Sequence, residues 1–172
     1  HMILDKQDAN EDTWVSEGMS ELAMFLNGYD SAPDAVAAQS PNIQLNSWPD
    51  GGTAQADTYG TAFSFMLYLW DRYGDAGVQA IAAEPANGLA GIQKVLDKID
   101  PGKKVDDLVA DWLIARFLDD PSIDNGRFGY SQSDRATVEP RQTIDQYPFN
   151  EDAQVHQYAG DYTQFEGGRD LT

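Results

Sequence analysis

Two glutamates spaced one helical turn apart hold the clearest chemical potential in this sequence. In "EDTWVSEGMSELAMFLNGYD", residues 11–30, Glu17 and Glu21 stand among Trp14, Met24 and Phe25. On a helical wheel Val15, Met19, Leu22 and Leu26 form one apolar stripe. Glu17 points almost opposite that stripe, and Glu21 lies about 40° from Glu17. Trp14, Met24 and Phe25 flank the pair, which leaves Ser16, Ser20 and Asn27 for water. The helix is therefore expected to be covered on two sides, with the glutamates on the second. A carboxylate in such a place is paired, protonated or bound to metal, because desolvating it alone is costly and raises its pKa. Two readings follow. The glutamates reach a groove or pair with an arginine, or Glu17 is a metal ligand and Glu21 the carboxylate that orients a neighbouring ligand.

Other residue clusters offer weaker chemistry. "LDDPSIDNGRFGY" gathers Asp119, Asp120, Asp124 and Asn125 near a glycine. These are the oxygen ligands calcium prefers, although the spacing is not that of an EF-hand and a solvated turn has the same composition. In "QVHQYAGDY", His156 and Tyr158 are an imidazole and a hydroxyl of the kind that stabilises an oxyanion; beside aromatics they are equally structural. No serine occupies a nucleophile-like elbow. The four tryptophans read as core.

The elements that must position these groups are mainly helical. The first helix has Asp12 or Thr13 at its N-cap and stops at Asn27–Gly28. Residues 31–57, with Pro33, Pro41, Pro49, Gly51 and Gly52, read as a long loop with a short turn of helix near Ala35–Ala38. "TYGTAFSFMLYLWDRYG" follows, apolar on nearly every face, and predicts a central buried helix from near Thr58 to Gly74. A third helix runs from Asp75 to before Pro85. A fourth carries Leu89, Ile92, Val95, Leu96 and Ile99 at helical spacing. A fifth buries Leu108, Val109, Trp112, Leu113, Ala115 and Phe117. Beyond Pro121 the chain turns irregular and rich in Asp, Asn, Gly, Ser and Pro, with "GRFGYS" as a short extended piece. The tail alternates weakly and ends in "DLT" as though in mid-strand. The expected organisation is a helical subdomain over 1–120 and an irregular acidic segment over 121–172 leading to a β junction.

Composition narrows the partners. The 172 residues suffice for one domain with a core, and 11% aromatics argue for a folded chain. With 29 acidic against 11 basic side chains, a formal net charge of -18, no basic stripe exists for nucleic acid or an anionic membrane. The acidity suits a secreted protein, a high-salt source or bound divalent cations. There is no cysteine, which excludes disulfides and thiolate metal sites. No apolar run reaches membrane-spanning length.

"TWVSEGMSELA" resembles the downstream glutamate motif of gluzincin zinc metallopeptidases: Trp, an apolar residue, Asn or Ser, Glu, Gly, then a second acidic residue. The resemblance implies that Glu17 is the third zinc ligand and that Glu21 hydrogen-bonds a zinc-binding histidine. "DTYGTAFSFMLYLWDRYGDAGVQAI", "PANGLAGIQKVLD" and "DLVADWLIARFLDDPSIDNGRFGY" are similar to the helical half of secreted peptidases of the immune inhibitor A and hyicolysin kind, and "VHQYAGDY" and "GGRDLT" to the junction into their β-domain. The implied fold is a helical-bundle subdomain of a thermolysin-like metallopeptidase, with long irregular loops and a partly extended tail. Implied with it are zinc, a protein or peptide substrate, a secreted or cell-surface location, and Tyr59 as a cleft residue in a Tyr-Gly step.

The clan's HExxH helix, which supplies two histidine ligands and the general base, does not occur here; the two histidines are His1 and His156. His1 is either the second histidine of that motif or part of a cloning remnant before Ile3. Either way the chain is expected to be a piece lacking the N-terminal half of its catalytic domain, and inactive alone. The alternative class is a non-catalytic acidic helical module for adhesion or interaction, stabilised by calcium.

Overall fold

The other four described helices all pack on one central helix. The computed structural model describes residues 6, 8–29, 33–49, 56–131 and 136–167. Among them are α1 (Thr13–Leu26), α2 (Pro33–Gln39), α3 (Ala56–Ala82), α4 (Gly88–Ile99) and α5 (Val105–Leu118), then a 3-10 turn at Asp124–Gly126 and two short strands, β1 (Gln142–Ile144) and β2 (Thr163–Phe165). The protein is mainly helical, as its periodicity predicts. No described helix is long and apolar enough to cross a membrane.

Helix α3 is buried continuously from Gly60 to Leu69, because nearly every position there is small or apolar. Helices α1 and α2 pack along it, and α4 and α5 meet it from other sides. Its aromatic residues interlock with the surrounding helices. Phe65 meets Trp112 edge-on at 5.2 Å and Trp14 at 6.1 Å, and Phe63 meets Phe25 at 5.8 Å. Such pairs add to the burial of their large apolar area. The predicted stop at Gly74 appears as a break inside α3, where Gly74 takes φ 65° and ψ -169°, a conformation open to glycine and costly for other residues. Beyond it Asp75 accepts a hydrogen bond from the Trp70 indole at 2.7 Å, and the helix resumes to Ala82.

Helix α1 begins after Asp12, whose carboxylate accepts the Trp14 indole N–H at 3.3 Å. It ends where Asn27 closes on the carbonyls of Ala23, Met24 and Phe25. Val15, Met19 and Leu22 are buried as the wheel predicts. Leu26 and Met24 depart from that expectation, at 41% and 42% exposed. In the last turn Phe25 carries the packing onto Phe63, and its neighbours at 100° to either side are turned outward.

Ile92, Val95 and Leu96 bury the inner face of α4, while Ile99 is exposed. On α5, Leu108, Val109, Trp112 and Ala115 are buried as expected. Phe117 instead stacks on Tyr162 of the tail at 5.4 Å, with the rings 11° from parallel. "GRFGYS" forms a turn in place of the predicted extended piece. Asp120 N–H donates to Phe128 O at 3.0 Å, and Tyr130 N–H to the Asp119 carboxylate at 2.9 Å, so the chain folds back on itself. Strands β1 and β2 pair in parallel, with Thr143 opposite Gln164. The closing "DLT" lies outside the described residues.

Candidate functional site

A close helix crossing sets the position of the two glutamates. Gly18, next to Glu17, lies so near α3 that a Cβ there would sit 2.9 Å from Ala62 O and 2.9 Å from Met66 Cγ. With α1 held that tightly, Glu17 and Glu21 are brought half-buried to the flank of the crossing. Tyr59, one turn before Ala62 on α3, faces them. Its hydroxyl is held above the usual tyrosine range by burial first and then by the charges of Glu17 and Glu21. Trp48 closes the other side of Tyr59, edge-on at 4.9 Å and 83°.

The Glu17 carboxyl is shifted above the ordinary glutamate value, by burial first and then by the charge of Glu21. The corner therefore holds a carboxyl whose pKa is raised, a second carboxylate one turn on, and a phenol held in its protonated form. These groups can grip a cation or orient a donor. Carboxyl-carbon NMR titration is expected to place the Glu17 midpoint above 4.5, and Glu21→Gln is expected to bring it down by removing the repulsion. An unchanged Glu17 midpoint in Glu21→Gln would show that the two charges do not face each other.

The other sequence candidates lie elsewhere. Tyr158, in the left-handed region at φ 53°, donates its hydroxyl to Asp106 in the first turn of α5 at 2.9 Å, which raises its pKa. His156 is exposed, and its backbone N–H donates to Asn42 Oδ1 at 2.9 Å. It lines a cavity of about 230 Å³ with Asn42, Ile43, Gln44, Ser47, Pro49 and Thr58. His1 lies outside the described residues. In the suspected calcium loop, the three aspartate side chains have local roles. Asp119 accepts from Tyr130 N–H, Asp120 from Ser122, and Asp124 pairs with Arg127 at 3.0 Å, while Asn125 offers its backbone carbonyl to Arg72.

Zinc fits this chain as a partial site only. Glu17 can supply one carboxylate ligand and Glu21 a supporting oxygen, both at a half-buried corner. Among the described residues no three His, Cys, Asp or Glu side chains converge to hold an ion by themselves.

Sequence reasoning missed two buried charges on α5, Asp111 and Arg116, at 3% and 5% exposed. Asp111 binds Lys103 and Arg127, and Arg116 donates to Ala37 O at 2.9 Å while lying over the Trp112 ring at 5.0 Å. It also missed Trp48, which lies against Tyr59 and outside the deep core. No protein-family model matches the chain, and no curated protein matches it.

Proposed function

We propose that this chain is the C-terminal, helical part of the catalytic domain of a secreted or cell-surface zinc metalloendopeptidase of gluzincin type, within a thermolysin-like fold. One observation supports this reading above the rest. Glu17 and Glu21 lie one turn apart, half-buried, on the side of α1 that meets Tyr59, with the Glu17 carboxyl held above its usual range. The residues around them, Trp14 through Glu21, resemble the clan's ligand helix.

In this reading Glu17 offers one oxygen to the metal, and Glu21 fixes the imidazole of a histidine supplied from upstream. When bound, zinc supplies Lewis-acid polarisation of the scissile carbonyl. Tyr59, kept protonated by its surroundings, donates toward substrate from the first turn of α3, and Trp48 walls the cleft beside it. The described loop segment that carries Trp48 borders that cleft. The chain alone supplies neither histidine pair nor general base, so its expected peptidase activity is nil.

The test belongs to the longer polypeptide. An HExxH should precede Ile3, and the purified protein should hold one zinc per chain. Glu17→Ala should lose both zinc and proteolysis, and Glu21→Ala should lose about 10–100-fold in metal affinity or activity. Retained zinc and activity in Glu17→Ala would defeat the ligand assignment. An upstream sequence without HExxH would leave the acidic interaction module in its place.

A further inference from the structure

The cavity beside His156 differs in chemistry from the rest of this acidic molecule. The described residues that line it are Asn42, Ile43, Gln44, Ser47, Pro49, Thr58 and His156, and none of these is a carboxylate or a permanent cation. In a chain with 29 acidic side chains, that composition already favours a neutral guest.

The walls are braced from behind. Asn42 uses its whole amide on the opposite segment, donating to Gln154 O at 2.9 Å and accepting from His156 N–H at 2.9 Å. Leu45 N–H donates to Tyr158 O at 3.3 Å, and Gly160 N–H to Pro41 O at 3.2 Å. Gln44 turns its NH₂ to Asn46 at 2.9 Å, which leaves its own carbonyl oxygen to accept. The His156 imidazole and the Ser47 hydroxyl make no hydrogen bond to other described residues.

The free groups are thus a mixed set: the His156 imidazole, the Ser47 hydroxyl and the Gln44 amide oxygen, while the Thr58 hydroxyl turns to Asp57 at 3.5 Å. Ile43 and Pro49 supply apolar wall. A primary carboxamide matches this set, since it presents one accepting oxygen and two donating hydrogens on a short apolar stem. A carboxylate has no hydrogen to donate and would leave the Gln44 oxygen without a donor. An ammonium would find no counter-charge among the described lining residues, and the neighbouring Asp57 carboxylate is already taken up by the Thr58 N–H and hydroxyl. An aliphatic side chain would strip water from every polar wall group and return nothing.

We propose that this cavity binds the carboxamide side chain of a glutamine or asparagine in a peptide. Thr58 lines the cavity and Tyr59, the next residue, faces Glu17 and Glu21. A peptide crossing the first turn of α3 can therefore present one residue to the carboxylate corner and seat another in the pocket. As a specificity pocket for cleavage, the assignment rests on the peptidase reading above; as a binding site, it does not.

The binding test uses the chain itself and needs no metal. N-acetyl-glutamine methylamide is titrated into labelled protein and followed by NMR, with the glutamate and norleucine analogues as controls. Saturable shifts are expected at Ser47, Thr58 and His156, with the glutamine probe binding at least about 10-fold more tightly than either control, as a hydrogen-bonding site rejects a ligand that leaves it unpaired. His156→Ala, at an exposed position, should abolish that preference. Equal affinity for the three probes, shifts located elsewhere, or no saturable binding in the millimolar range would overturn the proposal. A positive titration in a protein that fails the zinc test would retain the pocket and discard the peptidase.

Discussion

Asp111→Ala is expected to destabilise the protein by about 3 kcal/mol, at the lower end of the range for breaking a buried ion pair. Asp111 is 3% exposed and holds two cations at once, Lys103 from the turn before α5 and Arg127 at 2.7 Å from the turn after it. The Arg127 guanidinium is held above its usual range by Asp111 first and then Asp124. Its backbone carbonyl accepts the Tyr68 hydroxyl at 2.7 Å, so the cluster ties α3, α5 and the 124–127 turn together. Alanine would leave two positive charges facing a dry surface. Both side chains keep part of their length in water, at 21% and 44% exposed, and can swing outward, which is why the lower end is expected. In a chain of this size the loss corresponds to a Tm fall of roughly 6–12 °C. Asp111→Asn, which still accepts hydrogen bonds, should lose less. Urea and thermal unfolding measure both variants, and an alanine variant within about 0.5 kcal/mol of wild type would show that the pair is solvated.

That cluster also marks where sequence reading stops. The helices are legible because their periodic residues carry the signal: Val15, Met19 and Leu22 on α1, the unbroken apolar run on α3, and the glycine at 74. Asp111 and Arg116 carry no such signal. Each sits inside an apolar helix, and each takes partners from outside it: Lys103 and Arg127 for one, the Ala37 carbonyl for the other. Phe117 shows the same limit from the apolar side, for its partner Tyr162 comes from the tail. At the candidate site the residue types were readable and their grouping was not. Glu17 and Glu21 form a pair by spacing alone. Tyr59 joins them through the crossing of α1 and α3, whereas His156 and Tyr158, named for their chemistry, are bound into the loop around residues 42–45 and the start of α5.

The crossing itself gives the last prediction. Alanine forms helix better than glycine by about 1 kcal/mol, so Gly18→Ala on an open helix would stabilise. Here the new Cβ would lie 2.9 Å from Ala62 O, a backbone atom in the most buried helix of the molecule, and 2.9 Å from Met66 Cγ. Met66 can change rotamer and Ala62 O cannot move, so α1 must back away from α3. Overpacking of this kind costs about 1–3 kcal/mol, enough to cancel the gain in propensity and reverse it. Gly18→Val adds two methyl groups at the same contact and should cost more than Gly18→Ala. The consequence extends to the carboxylates. Once α1 shifts outward, Tyr59 no longer screens Glu17 from water, and the Glu17 titration midpoint should fall toward the ordinary glutamate value along with the loss of stability. A Gly18→Ala variant more stable than wild type, with the Glu17 midpoint unmoved, would refute the close crossing. If both shift together, the glycine that follows Glu17 has a physical reason to be there. It brings the carboxylate pair against Tyr59, and no larger residue permits that approach.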